Sequence, residues 1–399
     1  IRKIWVTCSV VGNLTILGFF KYFNFFTESA ATFLNWFGLP ASPLTLEIIL
    51  PIGISFYTFQ SMSYTIDLYR KRIKEPAGLL DFFLYVGFFP QLVMGPIVRA
   101  RTFLPQLLQP KVFSSVDVRL CLIWILIGFF KKTCVADFFD IYMTYYYAAP
   151  ELWFAHLSWG LHALYFIQLY CDFSGYTDMA YGCAGLLGYR LGPNFSFPLF
   201  ATNVQQFWQR WHISMGTWFR DYVYAPLRGN NRTFVSVAGS IFITFLLVGL
   251  WHGAGWKYVI QLGIYGTHMV IHLALINARK YKAGRIVFPV FLDLVALWIS
   301  HCMANVFFRA PDFWTALSMF KSLFTPTPER YGEIDRGFIA LMSLLLVVSI
   351  VHYGNYKKWW AEWWRRIPAW VFAAFLGIAW ALVLAAKVQD YQPFIYFQF

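Results

Sequence analysis

The run FVSVAGSIFITFLLVGL, from Phe234 to Leu250, is followed at once by Trp251-His252-Gly253. The run holds no charged side chain, which is typical of a helix that crosses a membrane. A histidine at membrane depth has few water partners, so it tends to face a protein interior or a wet cavity and is a candidate functional residue. We therefore predict a membrane protein in which His252 lies in a cavity and transfers a proton.

The composition of the whole chain supports a membrane protein independently. Hydrophobic residues make up 59% of the 399 positions and charged residues only 13%, which is more apolar surface than a soluble fold of this size buries. The formal net charge of +13 would suit nucleic acid, but the basic residues form short clusters between apolar stretches and no continuous basic face. We therefore expect a protein that is surrounded by membrane lipid and binds no nucleic acid.

About ten or eleven apolar stretches approach the roughly 20 residues that a helix needs to cross the hydrocarbon core. They are residues 4–26, 46–66, 82–98, 118–136, 152–170, 176–187, 234–250, 256–276, 287–307, 338–352 and 369–387. Backbone at membrane depth must satisfy its own hydrogen bonds, so these stretches are predicted to be helices. Residues 176–187 are too few to cross upright and are expected to be re-entrant or tilted. The prediction is a single, all-α, polytopic integral membrane domain over residues 1–399.

The central segment, residues 201–227, departs from this apolar pattern. Apolar side chains recur along it at spacings of three and four: Trp208, Trp211, Met215, Trp218 and Tyr222. That spacing predicts one amphipathic helix, which lies in the membrane interface, dips into the protein as a re-entrant element, or is an ordinary surface helix. His212 lies beside this stripe and close to ionisable residues: Arg210, Arg220 and Asp221. Because such groups are rare in a hydrophobic protein without a cavity, we expect His212 and His252 to face one common cavity.

The remaining histidines give weaker signals. His268 and His272 form an H-x-x-x-H pair at helical spacing, which would present two ligands to a metal ion. A metal site needs at least one more ligand, and no further histidine pair accompanies this one, so no bound metal is predicted. His301 lies within an apolar run, where helix packing and a functional role fit the pattern equally well.

Two motifs resemble the signature of a known family. FWQRWHIS at residues 207–214, continued by TWFRDYVY at residues 217–224, closely resembles the signature of the membrane-bound O-acyltransferase (MBOAT) superfamily, and WHG at residues 251–253 looks like its active-site histidine motif. Further similar stretches extend the resemblance over nearly the whole chain: residues 59–70, 90–99, 172–180, 306–309 and 393–399. Within the superfamily, the match is to the bacterial branch that holds the membrane subunits of alginate O-acetyltransferase and teichoic-acid D-alanyltransferase.

The resemblance implies a fold and a site. The expected fold is a helical body of about ten or eleven membrane helices, with re-entrant or interfacial helices around a central cavity, in a bacterial inner membrane. His252 is expected to be the general base that takes the proton of an acceptor hydroxyl. Three roles stay open for His212, which would hold the acceptor, polarise the acyl carbonyl or relay a proton. The residues expected to contact substrate are Trp208, Arg210, Trp211, Ser214, Trp218, Arg220, Asp221 and Trp251.

The same resemblance implies the substrates. The donor would be acetyl-CoA or another cytoplasmic acyl thioester, with no cofactor bound permanently, and the acceptor would be an exported polysaccharide. An extracytoplasmic acyltransferase partner protein is expected to complete the transfer. Either the donor phosphates or the positive-inside rule would explain the following basic residues: Arg99, Arg101, Arg228 and Arg232. Relatives usually start with more membrane sequence, so an amino-terminal membrane segment is expected to precede residue 1.

Two other functions stay open. D-alanyl transfer from a carrier protein to a teichoic acid uses the same chemistry. A proton-coupled transporter or channel would also place histidines in the membrane, but the sequence shows no internal inverted repeat of the kind that many transporters have. Within the acyltransferase hypothesis, direct transfer is favoured over an acyl-enzyme, because Ser214 is two positions from His212 and would face another side of a helix.

Overall fold

A computed structural model describes residues 1–148, 155–278, 290–324, 363–389 and 392–395, together with the isolated positions 343, 350, 353 and 354. Every regular element in these ranges is a helix. The prediction of an all-α protein is therefore confirmed for the described part of the chain.

The helices begin with one long amino-terminal element, which consists of α1 (Arg2–Leu17), a π-helical turn (Gly18–Tyr22) and α2 (Phe23–Trp36). The helices that follow are α3 (Ile54–Tyr69), α4 (Leu79–Val86), α5 (Phe89–Leu92), α6 (Ala100–Leu107), α7 (Val118–Phe130), α8 (Asp137–Ala148), α9 (Ala155–Leu186), α10 (Val204–Arg210), α11 (Ile213–Phe219), α12 (Ala225–Arg228), α13 (Phe234–His252), α14 (Trp256–Ala278), α15 (Val290–Arg309), α16 (Phe313–Ser322) and α17 (Ala369–Ala386). Further π-helical turns join α7 to α8 (Lys131–Ala136) and α11 to α12 (Arg220–Tyr224).

Five of the described helices are long and apolar enough to cross a membrane. They are the amino-terminal element Arg2–Trp36 and the helices α13, α14, α15 and α17. The chain is therefore a multi-pass membrane protein. The larger number of about ten or eleven spans stays a prediction, and the predicted span at residues 338–352 lies, apart from two isolated positions, outside the described residues.

The prediction of a span at residues 82–98 is wrong. α4 ends within this stretch, α5 is a single turn, and no helix follows α5 before Ala100. Pro90 lies in the first turn of α5, where its missing N–H does no harm. The helix is already interrupted before this proline, because Gly87 and Phe88 separate α4 from α5.

The predicted segments 152–170 and 176–187 are not separate, because the described residues of both belong to α9. The 32 residues of α9 make it about 48 Å long, which is enough to cross a bilayer with a tilt. Two acidic residues in its middle, Asp172 and Asp178, are buried against the helix that runs from α7 to α8. Of the two alternatives for residues 176–187, a tilted helix agrees with this continuous element and a separate re-entrant segment does not.

Lys131 and Lys132 lie inside the continuous helix that runs from α7 to α8, and within the predicted span 118–136. Lys131 Nζ lies 2.6 Å from Asp178 Oδ2, and Lys132 Nζ lies 2.8 Å from Asp172 Oδ1 and 2.7 Å from Asp137 Oδ1. Buried charges are found in proteins when they are paired in this way. The paired lysines and aspartates connect α9 to the helix beside it.

Glycines let α7 and α9 approach closely enough for these ion pairs. A Cβ atom built on Gly175 would lie 2.7 Å from the main-chain oxygen of Gly128, which is too close for any other residue. The reverse substitution, at Gly128, would collide with the main-chain oxygen of Gly175. The two backbones therefore touch at this point.

The carboxyl-terminal segment, residues 392–395, is bound to the same ion pairs. The second carboxylate oxygen of Asp172 accepts a hydrogen bond from the main-chain N–H of Ile395 (3.0 Å), and Lys132 Nζ donates to the main-chain oxygen of Pro393 (3.2 Å). Residues 392–395 are thus fixed to the middle of two long helices.

The central segment is not one amphipathic helix, which corrects the prediction for residues 201–227. α10 and α11 are separated by Trp211 and His212, and His212 has a left-handed backbone conformation (φ 44°, ψ 51°). The main-chain N–H of Ile213 donates to the main-chain oxygen of Asn194 (2.8 Å) in a loop that packs against the break. A tertiary contact therefore interrupts the helix at the candidate histidine.

Candidate active site

The aromatic side chains of α11 and α13 meet α3 in a stack of rings. Trp218 lies flat on Phe59, with ring centroids 3.9 Å apart, and Phe59 lies nearly parallel to Trp251, with ring centroids 5.4 Å apart. Trp218 Nε1 also donates to the main-chain oxygen of Phe59 (3.0 Å). Since all three side chains are buried, the stack fixes the plane of Trp251, the residue before His252.

His212 is fully buried and is held by an amide. Its Nδ1 lies 3.0 Å from Asn194 Oδ1, which also accepts a hydrogen bond from Ser214 Oγ (2.7 Å). The Ser214 hydroxyl in turn accepts from the main-chain N–H of Ile97 (3.0 Å), so its own proton must go to Asn194. The amide nitrogen of Asn194 donates to Thr177 Oγ1 (3.1 Å), so both ends of the amide have hydrogen-bond partners in this orientation.

In this orientation of the Asn194 amide, the contacts favour one tautomer of His212. Because Asn194 Oδ1 only accepts, His212 Nδ1 carries the proton, and Nε2 has a lone pair. His212 Nε2 is buried and has no hydrogen-bond partner among the described residues. The imidazole is therefore oriented with an unused acceptor atom in the protein interior.

His252 and His212 both contact Trp251. The ring centroid of Trp251 lies 5.1 Å from that of His252 and 6.0 Å from that of His212. His252 is the last residue of α13 and is 7% exposed, whereas His212 is fully buried. The structure thus brings both predicted histidines to one tryptophan in the core, instead of placing them on opposite flanks.

His252 lines two cavities. The larger one, of about 340 Å³, has a mainly apolar lining, and its polar residues include Lys21, Ser55 and Trp251. The smaller one, of about 20 Å³, lies between α9, α10, α14 and α15 and is also lined by Trp208, Trp211 and Asn305. His212 lines neither of them. The expectation that both imidazoles face one cavity is therefore not met for these two cavities.

Trp208 connects this region to a third cavity. It lines the smaller His252 cavity and also a cavity of about 560 Å³ between α10, α11, α13 and α14. That cavity is mostly apolar, and Arg220 and Thr217 are among its polar residues. The indole nitrogens of Trp208 and Trp251 are buried and have no hydrogen-bond partner in the part of the chain that the structure describes. Two N–H donors are thus available next to His252.

The predicted charged residues lie apart from the cavities of His252. Arg210 donates to the main-chain oxygen of Phe200 (3.4 Å), and Arg220 is largely exposed and pairs with Asp221 (2.9 Å). Asp221 also lies 3.6 Å from the guanidinium of the buried Arg99. None of these side chains lines either cavity of His252, so they are distinct from the group around the histidines.

Residues 68–309 match the family model described as MBOAT, membrane-bound O-acyltransferase family. The chain belongs to the membrane-bound O-acyltransferase family. The resemblance recognised in the sequence is thereby confirmed, and the protein is an O-acyltransferase.

Named relatives of this O-acyltransferase modify several kinds of molecule. It is 32% identical to the probable alginate O-acetylase AlgI of Pseudomonas putida over 99% of this chain and 84% of that protein. It is 33% identical to the peptidoglycan O-acetyltransferase of Helicobacter pylori over 81% of this chain and 65% of that protein. Similarity to the teichoic acid D-alanyltransferase of Bacillus subtilis is 29% identity over 59% of this chain and 62% of that protein.

The H-x-x-x-H pair of the acyltransferase is divided between different partners. His268 Nδ1 lies 2.8 Å from Ser300 Oγ, and His272 Nδ1 lies 3.7 Å from a carboxylate oxygen of Asp293. In the described residues, no group of three or more His, Cys, Asp or Glu side chains could hold a metal ion. His301 donates to or accepts from Tyr265 Oη at 2.6 Å and is stacked on an aromatic ring, as a packing histidine would be.

Two residues of this site were not predicted from the sequence. Asn194 lies in a short loop without a motif of its own, and only the fold brings it to His212. The sequence does mark Lys21 as unusual, because it is a single lysine inside the apolar run 4–26. A charged residue at such a position is a candidate functional residue for the same reason as His252.

Proposed function

We propose that this O-acyltransferase moves an acetyl group from a cytoplasmic thioester towards hydroxyls of an exported polysaccharide, with His252 as the general base. One observation carries the proposal: the histidine that ends a membrane-crossing helix lines an internal cavity in a chain that is similar over 99% of its length to an alginate O-acetylase. The second O-acetyltransferase relative also acts, by its name, on a polysaccharide of the cell envelope.

The chemistry needs one base and one stabilised oxyanion. The His252 imidazole would take the proton of the acceptor hydroxyl while the hydroxyl oxygen attacks the thioester carbonyl carbon. The new C–O bond forms, the C–S bond breaks, and the proton then passes from the imidazolium to the departing thiolate. The buried position of the site keeps water from competing with the sugar hydroxyl.

The tautomer of His212 argues against one of its three possible roles. To polarise an acyl carbonyl, its free nitrogen would have to donate a hydrogen bond, but Nε2 is an acceptor while Nδ1 is bonded to Asn194. We therefore assign His212 the two other roles that the sequence left open, which are to orient the acceptor hydroxyl or to relay its proton.

The oxyanion would be stabilised by indole N–H groups. Trp208 and Trp251 each border a cavity that His252 lines, and their Nε1 atoms have no partner among the described residues. Donors that need no reorganisation are effective for a developing negative charge. Arg210, the local cation in the sequence, is assigned no such role because it bonds the main chain of Phe200.

The donor phosphates would meet exposed cations. Arg99 suits this role poorly, because it is buried and stacks on Tyr222, 4.5 Å from the ring centroid. Arg101 and Arg232 are exposed, and Arg228 is half-buried. We propose that these three, in place of Arg99, contact an acyl-CoA or a similar donor on the cytoplasmic side of the bacterial inner membrane, and that a separate extracytoplasmic partner completes the transfer.

The assignment of His252 is tested by substitution in the purified protein. With a radiolabelled acetyl thioester and the envelope polysaccharide, His252→Ala should reduce transfer by about two or more orders of magnitude. His272→Ala is the matched control, because His272 is a half-buried histidine on α14 that lines no cavity with His252; its activity should stay close to that of the unmodified enzyme. Full activity of His252→Ala in a folded preparation would remove the assignment.

D-alanyl transfer is the second candidate. The D-alanyltransferase of Bacillus subtilis matches 59% of this chain, against 99% for the alginate O-acetylase of Pseudomonas putida. That difference in coverage favours acetyl transfer over D-alanyl transfer. Mass analysis of envelope polymers from cells with and without the gene would decide between them. If the cells without the gene lose ester-linked alanine, D-alanyl transfer replaces acetyl transfer as the proposed function.

A further inference from the structure

The end of α13 is bound by side chains of the amino-terminal helix. Lys21 Nζ donates to the main-chain oxygens of Trp251 (2.8 Å) and His252 (3.2 Å), and it lies 3.4 Å from Ser55 Oγ. The next residue, Tyr22, donates from its hydroxyl to the main-chain oxygen of Leu250 (2.8 Å). Three consecutive carbonyls, ending at His252, are therefore held from outside the helix.

These carbonyls need external partners. The last four C=O groups of an α-helix have no intrahelical N–H partner, and the negative end of the helix dipole favours a cation. Lys21 meets both needs, because an ammonium group is positive and has three donors. All three have a hydrogen-bond partner here. The ammonium therefore binds two main-chain oxygens and one hydroxyl.

The amino-terminal helix has a local irregularity at this place. Lys21 and Tyr22 lie in the π-helical turn Gly18–Tyr22, and such turns inside α-helices are frequent at functional sites. The turn lets two consecutive residues reach neighbouring carbonyls of the same helix end. Lys21 lies outside residues 68–309, the part of the chain that matches the family model.

We propose that Lys21 is a positioning residue, which fixes the main chain of Trp251 and His252 and so holds the imidazole against its cavity. Lys21 lines the cavity of about 340 Å³ together with both residues. A shift of the helix end would move the base away from the reacting atoms, and a misplacement of about 1 Å can cost on the order of a hundredfold in rate. The catalytic part of this inference rests on the proposed role of His252.

The test compares three variants. Lys21→Met removes the charge and all three hydrogen bonds while keeping an unbranched apolar side chain, and Lys21→Arg keeps a cation with several donors. Ser9→Ala is the control for docking of the amino-terminal helix, because Ser9 Oγ bonds Thr65 Oγ1 on α3 (3.0 Å) and does not touch α13. Each variant is purified as the full chain, and its yield and unfolding temperature are recorded.

Two readouts are measured on each variant. The first is the rate at which diethyl pyrocarbonate modifies His252, determined by mass spectrometry with His272 as the internal reference. This rate should rise several-fold in Lys21→Met, stay unchanged in Ser9→Ala and return towards the original value in Lys21→Arg. The second is acyl transfer, where Lys21→Met should lower kcat by about tenfold to a hundredfold with the donor KM changed by less than about twofold.

The outcomes separate the two proposals. If Lys21→Met equals Ser9→Ala in the labelling rate and in kcat, Lys21 does not position His252 and the inference is wrong. If the unmodified enzyme transfers no acetyl group, the proposed function fails, while the labelling rates still decide whether Lys21 fixes the helix end.

Discussion

His212 has a backbone conformation that few residues other than glycine adopt. Its φ of 44° places it in the left-handed region, which is sparsely populated and costs on the order of 1 kcal/mol or more for a residue with a side chain. Such a residue persists only when its surroundings determine it. Here the hydrogen bond to Asn194 and the main-chain hydrogen bond of Ile213 hold His212 in this conformation. The conformation therefore orients the imidazole ring.

At the residue scale, we expect Asn194→Ala to reduce activity more than its effect on folding explains. The variant leaves His212 Nδ1 and Ser214 Oγ without their shared acceptor, which costs about 1–3 kcal/mol of stability for a buried polar group. It also frees His212 to change tautomer, so kcat should fall while the donor KM stays similar. Steady-state kinetics and thermal unfolding in detergent measure the two effects.

The control is Thr177→Val, which removes only the partner of the Asn194 amide nitrogen. It should lose stability with much less loss of kcat. If Asn194→Ala has the same kcat as Thr177→Val, the tautomer of His212 does not affect catalysis.

The individual site residues were predictable where a residue type was unusual for its surroundings. His252 ends an apolar run, and His212 lies among aromatic residues and charges, so both are visible in the sequence. Asn194 could not be predicted, because its role depends on a loop that meets α10 and α11 only after folding. The charged neighbours Arg210, Arg220 and Asp221 were expected near the histidines, but their spacing was interpreted on a single continuous helix that does not exist.

At the scale of elements, Gly249 permits a close backbone contact between α13 and α14. A Cβ atom at Gly249 would lie 2.9 Å from Val259 Cα and would collide with the main-chain oxygen of Tyr258. We expect Gly249→Ala to force the helices apart, to destabilise the protein by about 1–3 kcal/mol and to displace His252, three residues further on. Unfolding measurements and kcat would show both effects.

Gly239 provides the matched substitution on the same helix. A Cβ atom there meets nothing within 4 Å, so Gly239→Ala should be neutral or stabilise the helix by about 0.5–1 kcal/mol. Tolerance of Gly249→Ala to the same degree would contradict the close approach of α13 and α14.

Long apolar helices were predicted well and short ones were not. α13, α14, α15 and α17 follow from the length of their apolar runs, to within a few residues at each end. The break between α10 and α11 has no local cause such as proline or glycine. It is imposed by backbone hydrogen bonds to another loop, including Ser196 N–H to the main-chain oxygen of Arg210 (2.9 Å), and long-range contacts of this kind leave no periodic signal.

At the scale of the whole molecule, residues 21–22 and 392–395 are both bound to central helices, and the second of these contacts can be tested. Asp172→Asn leaves Lys132 with a weaker partner and alters the acceptor of the Ile395 N–H. Breaking a buried ion pair costs up to about 3–5 kcal/mol, and the remaining ion pair of Lys132 with Asp137 (2.7 Å) should keep the cost below that limit. We expect a lower unfolding temperature and faster hydrogen exchange in the segment 392–395.

Two further variants make this prediction specific. Asp117→Asn removes an exposed ion pair with Arg365 (2.6 Å) while an asparagine can still cap α7, so it should cost less than about 1 kcal/mol. The triple variant Lys132→Met/Asp137→Leu/Asp172→Leu replaces the buried lysine and both of its carboxylate partners by apolar side chains and should recover much of the lost stability. An Asp172→Asn protein as stable as Asp117→Asn would show that the buried pair does not hold the tail.

The lysines in the middle of the α7–α8 helix also bear on how the protein enters its membrane. A lysine or an aspartate at the centre of a lone helix raises the cost of insertion by about 2.5–3.5 kcal/mol, and the charges of Lys131, Lys132, Asp172 and Asp178 are divided between two consecutive helices. Neither helix is a good substrate for the translocon alone, whereas together they cancel these charges. We therefore expect the newly synthesised α7–α8 helix to remain at the translocon until α9 has emerged. The two helices should then partition into lipid together, as one hairpin.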